Sequence, residues 1–198
     1  VTTLVKGDAA ASFLASVDGA VDPRWLQLDF DDSHWDEVTM GIGYDLAEPP
    51  ELERELGDVS QPGDLVMPTS TRSPEGEEAD KAIDDRNGTK YLNFDTVNAG
   101  LTVTLSRGAS AVTGLRFTSA NDVPSRDPTR FVLSGSTDGS VFTEVASGPI
   151  PEFTSRYQGV EVTFDNDRAF SQYRLLFPEV RDAASAVAVQ IAQVEVLS

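Results

Sequence analysis

Apolar and polar residues alternate along most of this chain, and the alternation has the two-residue period of a β-strand. Leu101, Val103 and Leu105 interleave with Thr102 and Thr104. The same pattern recurs at Leu115 and Phe117, at Phe131 and Leu133, at Val160, Val162 and Phe164, and at Tyr173, Leu175 and Phe177. Turn-forming clusters separate these runs: Asn87-Gly88, Asp138-Gly139, Ser147-Gly148-Pro149 and Asp165-Asn166-Asp167. Helical periodicity is confined to Pro50 to Leu56, a short acidic turn bounded by Pro49 and Gly57. Short strands at this spacing predict an all-β fold, an antiparallel β-sandwich or barrel.

The last run, Val187 to Leu197, breaks its own rhythm. Val187, Val189 and Ile191 share one parity and Val194 and Val196 the other, so the apolar face changes sides at Ala192 and Gln193. Either a β-bulge sits there or Gln193 points inward near a strand end. Leu46 to Glu78 is rich in Pro, Gly, Ser and acids with little alternation, and it reads as a connector. The expected division is therefore an acidic N-terminal segment, residues 1–58, and a C-terminal β-domain, residues 59–198. The first is too short to close a sandwich alone and is expected to lay strands or loops against the second or to be linked to it.

Composition narrows the chemistry. The 198 residues contain no Cys and a single His, His34, which removes disulfides, thiolate metal sites and zinc sites built on several imidazoles. A Ser-His-Asp triad would have to pass through His34. The balance of 33 acids against 15 bases gives a net charge of −18, which argues against nucleic acid, heparin-like polyanions and anionic membranes as partners. The charge is uneven: residues 1–80 carry 19 acids and 4 bases, the remainder 14 and 11. Nine of those last 11 bases are Arg, whose planar fork of donors suits sugar hydroxyls and carboxylates, although a Lys-poor acidic surface also fits a salty habitat. No apolar run reaches the roughly 20 residues needed to cross a bilayer. The start at Val1 fits a mature chain or an excised fragment, with any export signal ahead of it.

From Gln61 onward the sequence resembles the discoidin-like, coagulation-factor C-type family of galactose-binding-like domains, in particular its bacterial carbohydrate-binding branch. The resemblance is carried by Ala82-Ile-Asp-Asp-Arg-Asn-Gly-Thr-Lys-Tyr91, by Gly114 to Asn121 followed by Arg126-Asp-Pro128, by Phe131 to Gly139 with Phe142, and by Tyr173 to Phe177 with Gln190 to Val196. It implies an eight-stranded jelly roll. Separately, Phe30-Asp-Asp-Ser-His-Trp35 with Gly41 to Tyr44 resembles the opening of jelly rolls found beside bacterial glycoside hydrolases; there Asp31 or Asp32 caps a turn through Ser33, and Trp35 buries its ring.

Two sites follow from the resemblance. The first is a structural Ca2+ tying the opening loop to the last strand. Asp84 supplies a carboxylate, Thr89 a hydroxyl or carbonyl, Lys81 and Ala192 backbone carbonyls and Gln193 an amide oxygen, with Asp85 and Asn87 adding oxygens nearby. Arg86 stands where the family has a loop acid and Gln193 where it has Glu, so the alternative is an Asx-turn loop closed by hydrogen bonds. The second is a sugar site in Asn121 to Arg130, with Arg126 and Asp127 or Asn121 foremost and Arg156 with Tyr157 next. Against it stands an Arg126–Asp127 pair that only braces the loop.

Carboxylates are too abundant for any pair to signal a glycosidase. Asp29, Asp31, Asp32 and Asp36, like Glu75, Glu77 and Glu78, read as solvated or capping residues, and His34 as an exposed turn residue. Gly41-Ile-Gly43 lacks the third Gly of a phosphate loop. The sequence therefore reads as a non-catalytic, secreted or surface-displayed module that binds polysaccharide and works beside covalently linked domains. The rival is a structural or adhesive spacer in a large surface protein. Lipid binding, the mode of the coagulation branch, is opposed by the net charge.

Overall fold

The structure, a computed structural model, describes residues 10–13, 33, 36–39 and 56–198. The chain divides into two compact units, Val1–Arg54 and Glu55–Ser198. In the first, β1 (Ala10–Phe13) pairs antiparallel with β2 (Asp36–Thr39), and Ser33 lies in an exposed turn. Asp31, Asp32, His34, Trp35, Gly41 to Tyr44 and residues 50–55 of the helical turn predicted over 50–56 lie outside the described residues, and Leu56 is not helical.

The second unit is an antiparallel β-sandwich. Its strands are β3 (Leu65–Pro68), β4 (Tyr91–Asn93), β5 (Ala99–Thr104), β6 (Gly114–Thr118), β7 (Pro128–Ser136), β8 (Thr143–Pro149), β9 (Gly159–Thr163), β10 (Gln172–Val180), β11 (Val189–Ile191) and β12 (Gln193–Leu197). One sheet runs β3-β5-β10-β7-β8, another β12-β6-β9, and β11 pairs with β4 as a ribbon. Alternation explains the layers. Leu101, Val103, Leu133, Tyr173, Leu175 and Phe177 turn inward from the five-stranded sheet and are all but fully buried. Leu115, Phe117, Val194 and Val196 meet them from the other sheet, with Phe117 set against Phe131 at 5.8 Å and Phe177 at 6.3 Å between ring centres.

The parity change in the final run is a break between two strands. β11 follows β4, with Ile191 opposite Tyr91; β12 follows β6, with Gln193 opposite Thr118. Ala192, between them, donates its N–H to the Thr118 carbonyl (2.9 Å), and Gln193 is only 3% exposed. Of the two readings offered by the sequence the second holds: Gln193 turns in at a strand end, and a change of ladder partner rather than a bulge shifts the parity.

Three expectations are corrected. The connector contributes β3, an edge strand whose Val66 packs on the core while Leu65 and Met67 stay exposed. Ser147-Gly148-Pro149 is strand rather than turn: it pairs with Val132, Phe131 and Arg130 at the outer edge of the sheet, where a proline leaves no ladder partner wanting. The domain also begins before residue 59. Gly57 and Ser198 exchange backbone hydrogen bonds of 3.1 and 3.0 Å, and Asp58 bridges to Leu197, so the sandwich's two ends lie side by side.

Gly100 shows how closely β5 and β10 approach. A Cβ there would sit 2.0 Å from the Leu175 carbonyl oxygen, a backbone atom held by the ladder, whereas at Gly88 it would meet nothing within 4 Å. Gly100→Ala is expected to cost about 2–3 kcal/mol in urea unfolding and Gly88→Ala less than about 0.5 kcal/mol.

Candidate functional site

The loops after β4, β6, β8 and β10 all leave the same end of the sandwich, because those strands point one way and their partners begin there. A segment running from Ser119 to Asp127 lies at the centre of this end, and side chains from distant parts of the chain fix it. Ser119 is fully buried; its N–H donates to the Gln158 carbonyl, its hydroxyl donates to the Ser155 carbonyl, and the Gln158 N–H donates back to that hydroxyl, each at 3.0 Å. Gln190, buried in β11, donates its amide to the carbonyls of Asp122 (2.7 Å) and Val123 (3.2 Å). Lys90 donates to both carboxylate oxygens of Asp122 at 2.8 and 2.9 Å and to the Asn121 side chain at 3.3 Å, with Glu77 at 3.8 Å behind it. Burial pushes the Asp122 carboxyl up, but the bond and charge of Lys90, with the Gln190 amide and the charge of Arg126, together outweigh it and hold the group below its ordinary value.

Asp127 anchors the other end of the segment. It is 1% exposed, and both oxygens accept from Arg156, at 2.8 and 2.5 Å, with Arg181 at 3.6 Å. Arg156 also donates to the carbonyls of Ala120 (3.3 Å) and Asp122 (3.1 Å), and Arg181 to that of Phe153 (2.8 Å). The Asp127 hydrogen bonds keep Arg156 firmly charged. The pair is bidentate, and because Arg156 stays partly open to solvent only the Asp127 charge is fully withdrawn from water, an arrangement in which burial is tolerated.

The expected brace therefore exists with a different cation. Asp127 pairs with Arg156, not with Arg126, because Gln158 curls Thr154 to Gln158 into a turn, accepting from the Thr154 and Ser155 N–H groups at 2.7 and 3.1 Å, and this turn delivers Arg156 inward. Asp127 and Arg156, both expected among the sugar contacts, serve the loop. Arg126 closes a short 3-10 turn, Pro124–Arg126, is half-buried, and makes no side-chain hydrogen bond or ion pair among the described residues. Asn121 is exposed beside Lys90. Tyr157 presents its ring to solvent, 49% exposed.

Two further properties mark this end. Eight large apolar side chains are exposed among the described residues, and five of them, Phe94, Val97, Val123, Tyr157 and Val187, lie on these loops. Five non-glycine residues have positive φ, and four of them, Thr96, Asn98, Val123 and Tyr157, lie on the same loops. Val123, with φ 26° and ψ 79°, is β-branched, so the surrounding hydrogen bonds hold it where its own sterics would not. The sequence singled out Arg126 and Tyr157 as candidates but not Lys90, Gln190, Arg181 or Val123, whose parts depend on contacts across the fold.

The expected cation loop lies nearby. Asp84 accepts from the Arg86 N–H at 3.0 Å, and the Thr89 hydroxyl lies 2.9 Å from each carboxylate oxygen and 2.8 Å from the Arg86 carbonyl, an Asx-turn. Gln193 ties this turn to the strand break when its oxygen accepts from the Asp85 N–H (2.6 Å) and its nitrogen donates to the Ala192 carbonyl (3.1 Å). In the opposite orientation the Gln193 nitrogen donates to the Asp85 carboxylate at 3.3 Å and its oxygen faces the Ala192 carbonyl oxygen. Lys81 turns its side chain to Asp80 at 2.8 Å, and Asn87 is exposed and takes no part in the loop's hydrogen bonds. Among the described residues no group of three or more His, Cys, Asp or Glu is placed to hold a metal ion.

Solved structures share this fold. The chain is similar to the family 32 carbohydrate-binding module of Clostridium perfringens NanJ, solved in complex with galactose, at a TM-score of 0.59 and 19% identity over 72% of this chain and 99% of that one. It is similar to a second C. perfringens module of that family, solved with GalNAc-β-1,3-galactose, at a TM-score of 0.60 and 17% identity over 72% and 100%. A chitosan-binding module from Paenibacillus sp. IK-5 aligns at a TM-score of 0.51 and 14% identity over 72% and 99%. The sandwich thus has the discoidin-like fold of these modules. No family profile and no curated protein matches the sequence.

Removing the buried carboxylate leaves Arg156 and Arg181 facing an apolar gap, so Asp127→Ala is expected to cost about 3 kcal/mol in urea unfolding, and Arg126→Ala less than about 0.5 kcal/mol. A second expectation concerns pH. Burial pushes the Asp58 carboxyl up against the hydrogen bonds from Ser60 and Val196, and burial likewise pushes up Glu195 against the charge of Arg116. The folded state binds these protons more tightly than the unfolded chain. Their stabilisation is complete below the ordinary carboxylate range and is lost as pH rises through the raised values. Asp58→Asn removes part of that loss, so its urea midpoint relative to wild type is expected to rise between about pH 4 and pH 7; an unchanged difference would contradict the assignment.

Proposed function

We propose that the Glu55–Ser198 sandwich is a non-catalytic carbohydrate-binding module that holds linked domains of a larger secreted or surface-displayed bacterial protein against polysaccharide. The observation that carries this reading is the coincidence, on one set of braced loops, of exposed apolar and aromatic side chains, positive-φ backbone and an unpartnered guanidinium. An aromatic ring offers a face to the C–H side of a sugar, and a guanidinium offers paired donors to its oxygens. The shared fold adds support, since the modules described above were solved with galactose and GalNAc-β-1,3-galactose. A preformed site costs little ordering on binding, and weak single contacts become useful when the module is tethered near its target.

The same reading includes a structural Ca2+. The donor set suits a hard cation in kind: the Asp84 carboxylate, the Thr89 hydroxyl, the Lys81 and Ala192 carbonyls and the Gln193 amide oxygen would hold it. With a single carboxylate among them, the affinity would be low. Bound there, it supplies an electrostatic tie between the opening loop and the strand break.

In affinity electrophoresis through gels containing neutral and acidic polysaccharides, the full chain is expected to be retarded by at least one, and Tyr157→Ala to lose about tenfold in affinity, the scale of one stacked ring. Retardation by none would leave the spacer reading standing. For the cation, adding CaCl2 to chelator-treated protein is expected to raise the melting temperature, and Asp84→Ala to abolish the rise; melting that ignores CaCl2 would remove the ion from the proposal.

A further inference from the structure

We infer that the glycan recognised at this end carries a carboxylate, a uronate or another sugar acid, and that Arg126 reads it; the inference rests on the carbohydrate-binding reading above. Arginine partnering across the unit points to it. Arg72, Arg116, Arg130, Arg156 and Arg181 pair with acids. Arg107 donates to Gln61, while Arg168 and Arg174 lie over Phe170 and Phe142. Among the described arginines only Arg86 and Arg126 lack a side-chain partner, and Arg86 is fully exposed on a turn. Arg126 is half-buried, in a segment whose backbone is fixed on both sides: its own N–H donates to Val123, that of Asp127 to Pro124, that of Arg181 to Asp127 and that of Asp182 to Ser125.

The neighbouring acids do not meet its need. Asp127, the nearest carboxylate in sequence, has both oxygens on Arg156, and Asp122, which feels the charge of Arg126, has both on Lys90. Glu77 and Glu152 stand at 3.8 and 3.7 Å from Lys90 and Arg181, and Asp182 accepts from Ser185 and its N–H. Lys90, Arg156 and Arg181 are thus each in contact with protein carboxylates, whereas Arg126 interacts with Asp122 through its charge alone and keeps its donors free of any carboxylate. A partly desolvated guanidinium gains most from an anion, since a charge-assisted fork is roughly twice as strong as bonds to neutral hydroxyls.

The net charge of −18 does not overrule this. Exposed charges beyond about 8 Å are largely screened at physiological salt, so what the ligand meets at contact is the local arrangement. By the same argument an ammonium sugar, which the overall charge would attract, meets a like charge at Arg126. A densely sulfated chain would extend over the acidic surface beyond the site, whereas a single uronate does not.

The test is calorimetry on the full chain at 0.15 and 0.5 M NaCl with short oligosaccharides ending in glucuronate, galacturonate or mannuronate, each beside its carboxyl-reduced neutral form. At least one acid form is expected to bind about tenfold more tightly than its reduced form. Arg126→Ala should erase that difference while keeping the wild-type melting temperature, and Arg126→Lys should restore part of it. Equal or tighter binding of the reduced forms, or retardation by neutral polysaccharides alone, would overturn the inference and leave the carbohydrate-binding reading intact. Failure to bind any of these sugars or any gel polysaccharide would overturn both.

Discussion

Ala192 takes no part in the two ladders that flank it: Val189–Ile191 runs beside β4, Gln193–Leu197 beside β6, and at the break the Ala192 N–H donates to Thr118. A strand that changes partner in this way locks three things at once. β4 brings Lys90, β11 brings Gln190, and β6 ends at the segment that both of these side chains hold. Were the register to slip by one residue, Val194 and Val196 would face solvent and Gln190 would leave its carbonyls, so core and site fail together.

Beyond that break the site is a problem of buried charge. Asp127 is kept from water by the loops it joins, and its partner Arg156, partly open to solvent, is positioned by the carbonyls of Ala120 and Asp122 as well. The hydrogen bonds hold Val123 and Tyr157 in conformations that their sterics disfavour, by about 1–3 kcal/mol each, and leave their side chains facing outward. Strain, exposed apolar surface and an unanswered cation therefore occur together, because one set of anchors produces all three.

Much of this was legible beforehand, and the reason is contrast. β5, β6, β7 and β10 each set one dry face against one wet one, so alternation located them, and parity located the break at Ala192. β3 and β8 escaped because edge strands lack that contrast: Leu65 and Met67 are exposed, and Ser147-Gly148-Pro149 has the composition of a turn. Arg126 and Tyr157 were singled out by the family resemblance together with residue type.

Their partners could not. Lys90 reaches Asp122 across 32 residues of chain and Gln190 reaches it across 68, separations over which no local pattern reports contact. Sequence alone determined the β-class, the strands of the core and the absence of cysteine and multi-histidine chemistry, since each follows from residue type and short-range period. Tertiary structure decided which arginine braces Asp127 and which is left over, because a salt bridge belongs to whichever guanidinium the fold delivers, and here a turn five residues long delivers Arg156.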